Sequence, residues 1–298
     1  QLARGLVADI EQHGGKILCG VEPERILTRR GRAIGIELKS GERIGADAFV
    51  ASGLNPQQTF LELLAPSSVA RDVRERARRF RYNLLAPLFA LHLALREPPQ
   101  FLAAQQRPEL RRPFMFILGL ERLEQFHQIV AAHERGHIPP AVAWGACPTL
   151  FDPSQAPAGQ HTAFLWEKLP FALHGSAKNW PAAQDAHGHD LLALWRDYAP
   201  NLDTAVLDQF TLSPLDTERT LPNMRTGDLL VGSFANHQVR HNRPFAGAGR
   251  YRTPVEGLYL CGGSTHPGGN ITGLCGYNAA SIIASDCARP LWWNPKIL

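Results

Sequence analysis

Apolar positions recur at two periods along the chain, and they outline its elements. Leu2, Leu6, Val7 and Ile10 share one helical face, and Gly14-Gly15 follows where a helix-ending glycine belongs. The spacing then shortens and predicts strands over 16–21, 25–28, 33–39 and 43–51, with turns at Arg30-Gly31-Arg32 and Ser40-Gly41-Glu42. Helices are expected over 56–64 and 67–79, and a long strand over 84–96. The Pro- and Gln-rich stretch 97–113 reads as loop, and 141–147, 162–168 and 206–212 read as strands. Within 176–198 only the second half is expected to be helical, with Leu191, Leu192, Leu194 and Trp195 on its apolar face and Pro181 and Gly188 breaking the first half. Pro214, Pro222, Gly227, Gly232, Pro244, Gly247 and Gly249 mark a loop-rich last third. That third closes with a strand over 257–262, a glycine-rich turn and a helix over 272–287. The tail 289–293 is expected to pack through Trp292 and Trp293.

Composition narrows the class. The 298 residues, 44% hydrophobic and 19% charged, describe an ordinary folded protein with room for one large or two smaller domains. The net charge of +4 is small, and its densest run, Arg74, Arg76, Arg78, Arg79 and Arg81, reads as a solvated helix face. With no aromatic interleaving or recognition module beside it, nucleic acid is not an expected partner. Five widely spaced cysteines without a C-x-x-C pair fit a reducing, cytoplasmic compartment rather than a disulfide framework or a zinc site. No apolar run approaches the ~18–20 residues that span a bilayer, since the longest, 84–95, is short and contains His92. Peripheral membrane association stays open. The opening in mid-helix, without Met, reads as an internal cut, a processed chain or half of a split protein.

The candidate chemistry concentrates in residues 257–273, where an apolar strand runs into Gly262-Gly263-Ser264-Thr265-His266-Pro267-Gly268-Gly269-Asn270-Ile271-Thr272-Gly273 and then into a helix. Glycines let backbone lie flat against a ligand, and the helix start offers free N–H groups to an anion or an electron-rich ring edge. A purely structural strand–turn–helix is the competing explanation. Other clusters point to less. His237 and His241 stand four apart, but Gln238 replaces the glutamate of a metal-binding helix, and a surface pair is expected with no metal. Asp185, His187 and His189 read as a solvated loop cluster, and no G-x-S-x-G elbow accompanies Ser264, His266 and Asp286. No side chain is singled out as catalytic.

These residues resemble a known family. The run 257–280, with Thr265-His266-Pro267-Gly268-Gly269 and Tyr277-Asn278-Ala279-Ala280, is similar to the C-terminal signature of phytoene-desaturase-like and carotenoid-isomerase-like flavoproteins of the amine-oxidase superfamily. The likeness extends to Pro222-Asn223-Met224-Arg225-Thr226-Gly227-Asp228 and to 251–256. At the other end it includes Gly14-Gly15-Lys16, Gly31-Arg32-Ala33-Ile34-Gly35-Ile36, Ser40-Gly41-Glu42 and Ala46-Asp47-Ala48. Two departures stand out: Ser52-Gly53-Leu54-Asn55-Pro56 replaces a more usual Ser-Asn-Ala-Asp-Pro, and Asn270 stands where a third glycine is common.

The resemblance implies an α/β fold: an incomplete, Rossmann-like FAD-binding lobe from residues 1–56 and 251–298, and an α+β substrate domain with a mixed sheet from 57–250. It implies FAD as cofactor, held by Gly262, Gly263, His266, Pro267, Gly268, Gly269, Asn270, Ile271 and Gly273, with Val21 and Ser52 on the strands that approach it. No G-x-G-x-x-G occurs, so a partner, either an N-terminal half or a separate subunit, is expected to supply that motif. The implied reaction is dehydrogenation or isomerisation of an apolar small molecule, polyenes included, with the flavin accepting hydride. Two alternatives remain: a non-catalytic subunit that completes or regulates a partner flavoprotein, and a redox-neutral isomerase working with reduced FAD. Phe89, Phe114, Phe116, Trp144, Trp166 and Phe171 are candidate walls of an apolar pocket, most of them expected to be core.

Overall fold

The computed structural model describes residues 2–235, 237–291 and 293. In chain order the elements are α1 (Leu2–Gln12), β1 (Pro23–Arg29), β2 (Arg32–Leu38), β3 (Arg43–Gly45), β4 (Val50–Ser52), α2 (Arg71–Arg78), β5 (Leu88–Leu95) and β6 (Phe116–Leu118). There follow α3 (Gln125–Arg135), β7 (Ala143–Ala146), β8 (His161–Lys168), α4 (Trp180–Tyr198), α5 (Leu202–Ala205), β9 (Val206–Leu212), α6 (Pro214–Thr220), β10 (Leu258–Leu260) and α7 (Leu274–Asp286). The chain forms two compact units. Unit 1 holds residues 1–80, 239–267 and 273–298, and unit 2 holds 81–238 and 268–272.

Unit 1 contains an antiparallel β1-β2-β3 sheet and a separate parallel pair, β10-β4. The β1–β2 hairpin turns through Arg30 and Gly31, both at positive φ, which matches the twist of its strands. Glu37 on β2 is buried and accepts hydrogen bonds from Arg25 (2.5 Å) and Arg43 (2.6 Å), which hold its carboxyl below the ordinary range. A core of Ile26, Phe60, Val73, Phe245, Leu258 and Leu260 joins strands from both ends of the sequence. Against that core, α1 buries nothing: Leu2, Leu6, Val7 and Ile10 are all exposed. Residues 16–21, expected as a strand, pair with no strand among the described residues and lie exposed, because a strand is stable only when its backbone groups find partners.

Unit 2 is built on a five-stranded sheet in the order β6-β7-β8-β5-β9. The α/β class holds, although this sheet is antiparallel at every pairing rather than mixed. Along β8, Ala163, Leu165 and Glu167 point inward and Thr162, Phe164, Trp166 and Lys168 outward, the alternation a strand with one covered face requires. The inner face packs on α4 through Leu165, Phe89, Leu191 and Trp195.

Helix α4 is continuous, contrary to the expected break. Pro181 sits in its first turn, where no N–H is needed, and Gly188 is its contact with β9: a Cβ there would lie 2.6 Å from Thr211 Cγ2. The loop-rich reading around Pro214 also gives way to α6, which a capping box between Ser213 and Asp216 starts. Helix α3 and β6 arise in a stretch whose pattern predicts neither. Trp292 lies outside the described residues, and the Trp293 ring lies 6.0 Å from that of Tyr277.

Candidate functional site

Strands β4 and β10 run side by side in the same direction, pairing Val50 with Leu258 and Ser52 with Leu260, so their exits lie together. The Cys261 N–H donates to the Ser52 carbonyl (2.9 Å). Ser52 itself is buried, its hydroxyl shared with Thr59 (2.7 Å) and accepting the Leu54 N–H (3.3 Å). Next comes Asn55, which caps the following helical turn by accepting from Gln58 N–H (2.9 Å). Gly262 passes so near this exit that a Cβ would sit 1.9 Å from the Gly53 carbonyl. Close backbone approach is therefore the physical reason for glycine at 262.

The turn beyond Gly262 is held from below. Thr265 donates its N–H (2.9 Å) and hydroxyl (2.8 Å) to the Gly262 carbonyl. Arg243, fully buried, donates to Thr265 O (3.1 Å) and Gly263 O (3.0 Å). Sequence reading missed Arg243 because it lies in a Pro- and Gly-rich loop without periodicity. Tyr251 donates its hydroxyl to His266 O (2.7 Å) and accepts from Asn278 on α7 (2.9 Å), while burial raises its pKa. The His266 backbone is thus pinned, whereas its ring makes no hydrogen bond among the described residues. Pro267 follows through a cis peptide.

Residues 268–272 belong to unit 2, where Gly269 lies against Leu230: a Cβ would meet its carbonyl at 2.6 Å. Asn270 adopts φ 149°, a conformation glycine takes freely, at the very position where a third glycine is common. Ile271 is almost wholly exposed. Val21 is exposed too and lies outside any strand.

Back in unit 1, α7 follows Gly273, which stands at positive φ and has no side chain with which to cap the helix. Gly53 at the exit of β4, and Gly273 and Gly276 at the start of α7, face open space, with no atom of the described residues beyond their own chain neighbours and helix backbone within 4 Å of where a Cβ would stand. The Ser264 hydroxyl is buried without a hydrogen-bond partner among the described residues. Open glycines and a buried hydroxyl without a partner fit the flavin end of FAD. At the other end of α7, Asp286 accepts two hydrogen bonds from Arg252 (2.6 Å each) and one from Tyr259 (2.9 Å), which lower its pKa. Burial, followed by that same bond, pushes Tyr259 up to about 12.

In unit 2 a cavity of about 860 Å³ is walled by Phe116, Ile117, Phe126, Val142, Trp144 and Lys168. Of the six aromatic candidates, Phe116 and Trp144 line it, and Phe171 lines a separate cavity of about 410 Å³. Phe89 is core and Phe114 is exposed. Trp166 belongs to an aromatic row on the sheet, stacked on Phe164 (4.4 Å between ring centres) and edge-on to Trp144 (6.3 Å). The Asp185–His189 cluster lies on α4 rather than in a loop: Asp185 and His189 are exposed, whereas His187 is buried and bonded to Glu167 (Nε2 to Oε2, 2.7 Å), whose pKa burial raises. His237 and His241 are exposed, and the buried Gln238 between them clamps the Arg81 backbone at 2.8 and 2.9 Å.

No family model matches the chain. It is 28% identical over 294 residues to one subunit of the limonene dehydrogenase of Castellaniella defragrans, covering 94% of this chain and 53% of that one. It is 27% identical over 291 residues to the lycopene-forming phytoene desaturase of a Paracoccus species, covering 97% and 54%. Among solved structures, cyclohexylamine oxidase from Brevibacterium oxydans superposes with a TM-score of 0.56 at 14% identity, covering 95% of this chain and 51% of that one. The chain spans about half the length of the curated relatives it matches. No helix among the described residues is long and apolar enough to cross a membrane. The chain is thus a relative of the phytoene-desaturase-like FAD-dependent oxidoreductases, with their fold over about half of their length.

Proposed function

We propose that this chain forms the flavin-edge and substrate-binding part of an FAD-dependent oxidoreductase that dehydrogenates or isomerises an apolar small molecule. The observation that carries this is the β4–β10 pair. Parallel strands are found inside larger sheets covered on both faces, and a three-residue pair is too small to stand alone. It is the end of a sheet whose remaining strands come from further polypeptide bearing G-x-G-x-x-G. The exposed apolar stripe of α1 and the unpaired 16–21 segment are the other surfaces such a unit would cover. The limonene dehydrogenase relative is one subunit of its enzyme, which favours a separate partner subunit here.

In this reading unit 1 is the partial FAD-binding domain and unit 2 the substrate domain. Bound FAD supplies the hydride acceptor. Gly262 and Gly53 bring the strand exits together, while Gly263, His266, Pro267, Gly268, Gly269, Asn270, Ile271 and Gly273 form the turn toward the cofactor. Arg243 and Tyr251 fix the carbonyls of that turn from its buried side. Ser52 ends the approach strand β4, and Val21 lies just ahead of β1. The apolar walls of the 860 Å³ cavity exclude water around the substrate.

Co-expression with a polypeptide carrying the missing motif tests the proposal. A yellow complex with flavin absorption, bleached anaerobically by substrate, is expected. A stable complex without flavin would replace the proposal with a non-catalytic, regulatory role.

A further inference from the structure

We propose that the 860 Å³ cavity of unit 2 receives an elongated apolar molecule ending in a carboxylate, with the Lys168 ammonium as its head-group contact. The inference deepens the reading of unit 2 as the substrate domain and rests on it. Lys168 ends β8 on the sheet's outward face. Its Nζ lies 5.2 Å from the centre of the Trp144 ring and 3.5 Å from the Ala86 carbonyl, and it forms no ion pair among the described residues.

The nearby carboxylates are committed elsewhere. Glu167, its neighbour in sequence, also borders the cavity, but its Oε2 is bonded to His187 and it forms no ion pair with Lys168 among the described residues. Asp228 is fully buried, with Oδ2 accepting from Asn83 (2.8 Å) and Gly232 (3.0 Å) and Oδ1 from Leu230 (2.9 Å). A partly buried ammonium without an anion is costly, and a cation–π contact of about 0.5–2 kcal/mol offsets that only in part. Burial lowers the Lys168 pKa, in keeping with a charge short of compensation.

The rest of the cavity wall selects the ligand's other end. Ile117, Phe126, Ile129 and Val142 present hydrocarbon, and the volume falls in the usual range of small-molecule sites. Lys168 is the one cation of that lining, whose other ionisable group, Glu167, is bonded through Oε2 to His187, and a cation in a mostly apolar chamber is complementary to a single anionic head on an apolar body.

Calorimetric titration of the full 298-residue chain with hexadecanoate and with methyl hexadecanoate, below their aggregation limits, tests this directly. The acid should bind at least tenfold more tightly than the ester. Lys168→Met should bring the acid down to the ester's affinity and leave the ester unchanged, which also reports that the cavity is intact. Lys168→Arg should keep the preference, and circular dichroism checks the fold of both variants. Equal binding of acid and ester to the native chain, no binding of either, or a preference that survives Lys168→Met would each overturn the proposal. Flavin uptake by the co-expressed complex is scored separately. A colourless complex that still prefers the acid sinks the oxidoreductase reading alone, and a yellow one without that preference sinks this inference alone.

Discussion

Unit 2 sets a five-stranded sheet on a nineteen-residue helix and buries tryptophans at both ends of that helix, whereas unit 1 gathers a smaller set of apolar residues around two sheets, one only three residues long. Unit 2 has the layering of a body that can hold itself together. Unit 1 leaves a helix with no buried residue and a strand-like segment without a partner. The contrast teaches that apolar stripes and strand-like segments settle only when a covering layer is present.

The largest effect is expected in the unit 2 core. Leu165→Ala empties a fully buried position and should cost about 2–5 kcal/mol in urea unfolding. A loss below about 1 kcal/mol would mean that unit 2 is not the stable body.

The glycines of unit 1 sharpen the contrast. Gly262→Ala forces a methyl onto the Gly53 carbonyl and should destabilise by about 1–3 kcal/mol. Gly53→Ala meets open space, so stability should stay within about 0.5 kcal/mol while flavin retention in the complex falls. Full flavin retention in Gly53→Ala would remove Gly53 from the site.

A smaller effect concerns pH. Burial holds Glu167 above its ordinary value of 4.5, so the folded chain keeps a proton that the unfolded chain has released. Its contribution is fully present below pH 4.5 and is lost as pH rises through the raised value. Glu167→Gln should flatten that slope in urea midpoints taken between about pH 4 and 8. An unchanged slope would assign it to other groups.

The smallest effect on the chain itself is expected from Leu6→Glu with Ile10→Glu on α1. Both positions are exposed, so the melting temperature should barely move, whereas assembly with the dinucleotide-binding polypeptide should fail in size-exclusion runs. Unimpaired assembly would show that α1 is not the covered face.

Much of this was legible in the residues, and the misses have specific causes. The Gly31 and Gly41 turns, four of the five strands of the main sheet and the 257–287 strand–turn–helix follow from short-range stereochemistry and period. Helix α4 was misjudged because Pro181 and Gly188 break helices only in the interior or where nothing packs close, and neither condition holds here. His187 was misplaced with it: a histidine beside Gly and Asp looks solvated until the helix turns it toward Glu167. Arg243, the cavity and the unpaired Lys168 left no local trace, since each depends on residues far apart in sequence.

What the sequence determined by itself was the α/β class, the kinship with phytoene-desaturase-like proteins and the glycine turn, because these depend on backbone freedom and apolar spacing within short windows. Only the tertiary structure decided which buried polar groups are paired, which glycines press on backbone and which face open space, and where an ammonium stands without an anion. Those are properties of distance and dielectric, set once the chain has closed on itself.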